Sequence, residues 1–139
     1  LDGIGAIGGV TDTLEILKSR VQMGIVTSCK RAHFDLIHSK TEVLKFFDFV
    51  LAREDYFNSK PDPEPYLEAM RRNHLKPNEC IVVEDSPRGL QSANAAGLRC
   101  VVIPRGMTVG LNFDGAWMRL KQVADLIPVV ESLQNSEKG

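Results

Sequence analysis

Two kinds of apolar pattern alternate along the chain. From Val10 to Arg20 the run VTDTLEILKSR has helical spacing, with Val10, Leu14 and Leu17 on one face and Asp12 and Glu15 as a candidate capping pair. Met23 to Ser28 (MGIVTS) is a short apolar run ending in hydroxyls, which predicts a buried strand. Ala32 to His38 is a predicted helix with Ala32, Leu36 and Ile37 on its inner side, and Phe47 to Ala52 a second strand. Pro61, Pro63 and Pro65 exclude regular structure up to about Glu64, then hand over to a helix from Tyr66 to His74. Cys80 to Glu84 (CIVVE) is the third strand. Ser86 followed by Pro87 has the form of an N-cap and a proline at the first helical position. That helix runs to Ala96 and stops at Gly97, a left-handed cap. Cys100 to Pro104 is a fourth strand, Ala116 to Leu120 a short fifth, and a helical tail follows, interrupted near Pro128. Apolar strands alternating with helices predict an α/β fold, a parallel sheet in three layers with helices on both faces.

Composition narrows the function. A chain of 139 residues predicts one domain, 1–139, able to bury a full core. Seventeen basic and eighteen acidic residues leave a net charge of −1. With no Lys/Arg-rich run, neither nucleic acid nor an anionic membrane is an expected partner. No apolar run approaches the roughly 18 residues of a membrane span, and from the Gly-rich first ten residues, which lack a basic segment, no signal peptide is expected. Cys29, Cys80 and Cys100 are odd in number and match no zinc spacing, so reduced thiols in the cytoplasm are expected. The chain begins at Leu1 rather than Met, which leads us to expect a cut, processed or partial gene product.

In open α/β sheets ligands bind beyond the carboxyl ends of the strands. The first strand ends in Thr27 and Ser28, the third in Glu84 and Asp85, and the loop after the second carries Lys60 in SKPDPEPY. A hydroxyl, an ammonium and two carboxylates on one rim suit a phosphate and a divalent cation. The hydroxyl donates to a phosphoryl oxygen, the lysine neutralises its charge, and the carboxylates offer the hard oxygens that magnesium prefers.

In order and spacing these residues resemble the haloacid dehalogenase superfamily, most closely its phosphatase and β-phosphoglucomutase-like branch. The likeness runs from about Gly9 to Leu133. GIVTS resembles the second signature motif, with Thr27 on its hydroxyl position, and Lys60 falls on the lysine of the third. VVEDSPRGLQSANAAG, Val82 to Gly97, is similar to the fourth and is the longest match. The resemblance implies a Rossmann-like core in which Asp85 binds Mg²⁺, with Glu84 as a second ligand or its partner. It implies that Thr27, Ser28 and Lys60 hold the phosphoryl group, with Thr27 and Lys60 serving catalysis. Ser28 and Cys29 stand where relatives often have Asn and Ser. FDGAWMRL, Phe113 to Leu120, resembles the last core strand, although Trp117 stands where a small acid is common and is read as packing.

The family's nucleophile is the first aspartate of an Asp-x-Asp motif ending a central strand, and it forms an aspartyl-phosphate that water then cleaves. No Asp-x-Asp occurs in these 139 residues. Asp2, before Gly3, is the one candidate for half of such a motif, and the alternative reads Leu1 to Gly8 as a linker leaving a cap domain. Both readings place the nucleophile strand outside this sequence. That strand belongs between those of Thr27 and Glu84, so an upstream segment or a second chain is expected to complete the sheet. Left empty, the slot would hold the two strands roughly 10 Å apart, two inter-strand spacings. Direct pairing of the two would defeat this picture.

The resulting expectation is the C-terminal core of a Mg²⁺-dependent hydrolase of small phosphomonoesters, a phosphorylated metabolite, inactive as the isolated chain. The alternative from another class is a shortened, non-catalytic module that binds a phosphate ligand or a partner protein. A haloacid dehalogenase proper needs no Mg²⁺, and the Glu84–Asp85 pair argues against it. Phosphatase and phosphomutase are not separable from these residues. The resemblance also makes the strands of Cys80 and Cys100 parallel neighbours, with both thiols buried and unbonded.

Overall fold

The computed structural model describes residues 10–39 and 42–138. The readings of Leu1 to Gly8, Asp2 among them, fall outside those residues. Among the described residues five α-helices, α1 (Val10–Lys18), α2 (Arg31–His38), α3 (Glu64–Arg72), α4 (Pro87–Ala95) and α5 (Leu126–Lys138), alternate with five strands, except that the fourth and fifth strands follow one another. The strands are β1 (Gly24–Val26), β2 (Phe49–Leu51), β3 (Ile81–Glu84), β4 (Arg99–Val102) and β5 (Met118–Arg119). Every pairing is parallel, as the two-sided apolar runs predict.

The strands form two sheets, β1–β2 and β3–β4–β5. In the first, Gly24 lies opposite Phe49 and Val26 opposite Leu51. In the second, Val82 lies opposite Cys100 and Glu84 opposite Val102. Among the described residues β1 does not pair with β3.

Layering follows from the two-residue alternation of strand side chains. Val82, Cys100 and Val102 pack with Tyr66 and Met70 of α3 and Leu90 and Ala93 of α4. Ile81, Val83 and Val101 turn the other way, onto Leu17 of α1 and Leu126 and Val130 of α5. The sheet of β3–β5 is therefore covered on both faces, the expected three-layer α/β arrangement.

Local signals explain where the elements begin and end. The Ser86 hydroxyl accepts from the Gly89 amide at 3.1 Å, and Pro87 occupies the first helical position. Gly97 follows α4 at φ +81°, a conformation natural to glycine. Gly24 has a different reason to be small. A Cβ there would lie 2.0 Å from the Phe49 ring, which occupies the space above its opposite number.

Four expectations are corrected. Pro128 does not interrupt the tail: α5 runs unbroken, because Pro128 is the third residue of the helix, where backbone N–H groups lack intrahelical acceptors. The inner side of α2 is Phe34 and His38, in ring contact at 4.5 Å, while Ala32, Leu36 and Ile37 are exposed. A helix of eight residues beside a two-stranded sheet buries one narrow i, i+4 stripe, and the bulkier rings take it. Since α1 already starts at Val10, Asp12 lies in its first turn, where it complements the dipole instead of capping. Finally, all three cysteines are free, but only Cys100 is fully buried, its thiol pushed up to about 12 by desolvation. Cys80 stands just before β3 and is half-buried.

Candidate active site

The carboxyl ends of β1 and β3 bring the site together. The Met23 carbonyl accepts from Asp48 and the Thr27 amide donates to Leu51. Peptide groups of alternate residues in a parallel strand point to the same neighbour, so Met23, Ile25 and Thr27 face β2. Gly24 and Val26 then present theirs to the opposite edge, toward β3. By the same reasoning the Glu84 carbonyl, which accepts from the Ile103 amide at 2.8 Å, faces β4, and Val83 faces β1. Between these edges lies a cavity of about 470 Å³, lined by Met23, Val26, Phe49, Tyr66, Val83 and Glu84 among others.

Lys60 spans this opening. Its ammonium donates to the Val26 carbonyl at 3.1 Å, on the edge of β1 that no described strand pairs, and to Glu84 Oε2 at 2.6 Å, at the end of β3. An inward-pointing charge of this kind blunts an unpaired strand edge. Lys60 reaches that position because its loop is fastened at several points. The Lys60 carbonyl accepts from Arg88 Nη2 at 2.8 Å, and the Asp62 carbonyl from the Ser92 hydroxyl at 2.7 Å, both on α4. Asp62 Oδ1 also accepts from the Glu64 amide at 2.9 Å, at the start of α3. The prolines around it fix the chain between these anchors, and the Lys60–Pro61 peptide is cis.

Glu84 is 4% exposed and is held from three directions. Oε2 accepts from Lys60 and from the Tyr66 hydroxyl. The carboxylate fits against α4 only because residue 89 has no side chain; a Cβ there would lie 2.0 Å from Oε1. Tyr66 is itself buried, and its ring lies 5.2 Å from the Lys60 ammonium. Desolvation, with Glu84 beside it, pushes the phenol well above its ordinary value of 10.0, so Tyr66 is a neutral donor.

The other expected residues lie on the same rim. Thr27 is 3% exposed. Its Oγ1 accepts from the Cys29 amide at 3.1 Å, and its carbonyl accepts from the Tyr56 hydroxyl at 2.8 Å. These bonds turn the chain sharply after β1 and leave Ser28 exposed at the mouth. Asp85 follows Glu84 and is half-buried. The two acids differ in employment: Glu84 is spent on Lys60 and Tyr66, while no hydrogen bond or ion pair is made by the Asp85 carboxylate among the described residues. Thr27 and Lys60 meet through Val26, and Lys60 meets the acid pair through Glu84, so one rim holds all of them.

No group of three or more His, Cys, Asp or Glu side chains among the described residues forms a metal cluster. The donor set suits magnesium in its sparing mode, in which one or two carboxylates hold an ion that keeps several waters and takes phosphate oxygens. Asp85 fits that part. Two site residues escaped the sequence reading, though both lie within its motifs. Gly89 carried a signal, since a glycine inside a helix costs about 1 kcal/mol and needs a reason. Tyr66 carried a weaker one, a hydroxyl at a core position that must find a partner. Trp117, read from the sequence as packing, is exposed and belongs to no core cluster among the described residues; its one ring contact is the Arg99 guanidinium at 5.1 Å.

Comparison with known proteins adds four matches. The family model for haloacid dehalogenase-like hydrolases matches residues 2–103. Protein CbbY of Rhodobacter capsulatus is 33% identical over 125 residues, covering 87% of this chain and 55% of that protein. The phosphorylated carbohydrates phosphatase of Thermotoga maritima is 31% identical over 121 residues, covering 86% and 55%. Among solved structures, CbbY from Rhodobacter sphaeroides in complex with phosphate superposes with a TM-score of 0.75 at 28% identity, over 86% of this chain and 55% of that one. The chain spans about half the length of the curated relatives it matches.

Proposed function

The chain belongs to the haloacid dehalogenase-like hydrolases, and on that premise we propose that it is the C-terminal core of a Mg²⁺-dependent phosphatase acting on small phosphomonoesters. The observation that carries this reading is Lys60, whose ammonium touches the open edge of β1 and the end of β3 at once. It stands where a phosphoryl group would meet Thr27 and Ser28 on one side and Asp85 on the other.

Each residue then has a task. Lys60 has three N–H donors, two of them directed at Val26 and Glu84, and the third serves the phosphoryl oxygens. Thr27 and Ser28 supply hydroxyl and amide contacts. Asp85 would hold Mg²⁺, and Glu84 stands behind it and orients Lys60. The ion, when bound, neutralises charge on the phosphate oxygens. The nucleophile is an aspartate on a strand seated between β1 and β3, supplied by an upstream segment or a second chain. Its carboxylate attacks phosphorus as the ester P–O bond breaks, the second aspartate of the Asp-x-Asp motif gives its proton to the departing alkoxide, and water, losing a proton back to that aspartate, then cleaves the acyl phosphate. Three unpaired thiols support a reducing compartment, the cytoplasm. Among the described residues no helix is long and apolar enough to cross a membrane.

The test compares this chain with one extended upstream through an Asp-x-Asp strand, using p-nitrophenyl phosphate with and without Mg²⁺. The extended protein is expected to turn over with Mg²⁺ and to lose about a hundred- to a thousandfold on Lys60→Ala, the scale of removing one electrostatic donor to the transition state. The 139-residue chain is expected to be silent. Ordinary turnover by the short chain would refute the missing-nucleophile reading, and an extended chain that binds phosphate without turnover would favour the non-catalytic module.

A further inference from the structure

The buried cluster at the mouth contains one polar group to which the proposed chemistry gives no part, the Tyr66 hydroxyl. Its ring could fill the core without it: Tyr66 packs among Met70, Leu90, Ala93 and Cys100, where a phenylalanine would bury as well. Burying a hydroxyl is costly unless it is bonded, so its presence needs a partner that uses it. That partner is Glu84 Oε2, the same oxygen that accepts from Lys60.

Two donors on one carboxylate oxygen define its position more narrowly than one. The ring adds a second constraint, since it lies 5.2 Å from the Lys60 ammonium and offers its negative face to the cation. Tyr66 rises from the first turn of α3, four residues after the Asp62–Glu64 anchor begins, so its place is fixed independently of the ligand. Gly89 closes the far side of the carboxylate. Glu84 is thus confined between α3 and α4 with one course open to it, toward Lys60.

We infer that Tyr66 is a positioning residue for phosphate binding: through Glu84 Oε2 and through its ring it fixes the Lys60 ammonium across the opening between β1 and β3. This rests on the proposed role of Lys60 and adds that the lysine is held by a tyrosine hydroxyl outside the set of groups that meet the ligand. Without the hydroxyl, Glu84 retains Lys60 as its one donor, and both side chains gain freedom that the ligand must remove on binding.

The experiment is a titration of this 139-residue chain with orthophosphate, with Mg²⁺ present, followed by the amide shifts of Thr27 and Ser28 in ¹⁵N-labelled protein. Such shifts yield dissociation constants into the millimolar range. The variants are Tyr66→Phe, Glu84→Gln, the pair together, and Lys60→Ala, each checked for folding by its spectrum. Tyr66→Phe keeps the ring and is expected to weaken orthophosphate about tenfold, the scale of one hydrogen bond to a charged group. In the Glu84→Gln background the same change is expected to cost less than about twofold, since a residue acting through Glu84 has nothing left to act through. A purely structural tyrosine would lower thermal stability in both backgrounds without this dependence. No loss of affinity on Tyr66→Phe, or an equal loss in both backgrounds, overturns the inference while Lys60→Ala still weakens binding. If Lys60→Ala itself leaves affinity unchanged, the reading of Lys60 fails, and the inference fails with it.

Discussion

Replacing Gly89 by alanine sets two physical effects against each other. Gly89 lies inside α4, and in an ordinary helix interior the substitution gains up to about 1 kcal/mol. Here the new methyl would lie 2.0 Å from Glu84 Oε1 and 2.1 Å from its Cδ, far inside contact distance. A flexible carboxylate at a surface would swing aside at little cost. Glu84 has no such freedom, being 4% exposed and bonded to both Lys60 and Tyr66. To make room it must leave its partners, and breaking one side of a buried ion pair costs about 3–5 kcal/mol. The net expectation is a loss of about 2–4 kcal/mol, against the sign of helix propensity. Urea unfolding followed by far-ultraviolet circular dichroism reads this as a midpoint lower by about 1–2 M, for a slope near 2 kcal/mol per M. The exposed Gln91→Ala in the same helix is the control, expected within about 0.5 kcal/mol of the parent. In the Glu84→Ala background the clash is gone, and Gly89→Ala is expected to stabilise. A midpoint that is unchanged or raised in the parent chain, or an equal loss in both backgrounds, would refute the reasoning.

Three further outcomes are expected. Asp55 is held at about 2, below its ordinary 3.8, chiefly by the Ala52 amide and then by Arg72 and Arg31; the stability it contributes is complete above the unfolded value and is lost as pH falls from about 4 toward 2. About 2 kcal/mol should disappear across that window, and Asp55→Asn should flatten that part of a plot of urea midpoint against pH. His74, two residues beyond α3, sits at φ +55°, a conformation that penalises a side chain. His74→Gly is therefore expected to raise stability by about 0.5–1 kcal/mol, and a lowered melting temperature would contradict it. Gly24→Ala drives a methyl into the Phe49 ring and is expected to cost about 1–3 kcal/mol; adding Phe49→Leu should recover part of the loss, and an undiminished loss would mean that the ring is not the obstacle.

The layers were legible because burial repeats on a period the sequence displays. CIVV, up to Glu84, and CVVI are apolar at every position, and a strand covered on both faces has no polar side to show. The ends of α4 were legible because Ser86 and Pro87 cap and pre-set its start and Gly97 admits the left-handed conformation at its stop. The face of α2 was not, since Ala32, Leu36 and Ile37 make as good a stripe as Phe34 and His38 until the neighbouring elements choose one. Pro128 misled because a proline ends or begins a helix according to its position within it, and the start of α5 had no distinct signal.

By itself, the sequence determined the succession of parallel strands and helices, and the types of group on the carboxyl rim: hydroxyls at Thr27 and Ser28, an ammonium at Lys60, acids at Glu84 and Asp85. Those follow from side-chain chemistry and from periodicities only a few residues long. Tertiary structure decided how the groups are used. Lys60 meets Val26 across 34 positions of chain and Glu84 across 24, Tyr66 claims the same carboxylate oxygen, and Gly89 leaves the room it needs. Residues so far apart in sequence become neighbours only when the helices and strands between them pack. That is why two adjacent acids, alike in the sequence, end with different employment: Glu84 is bonded in the interior, while the half-buried Asp85 carboxylate makes no hydrogen bond or ion pair among the described residues.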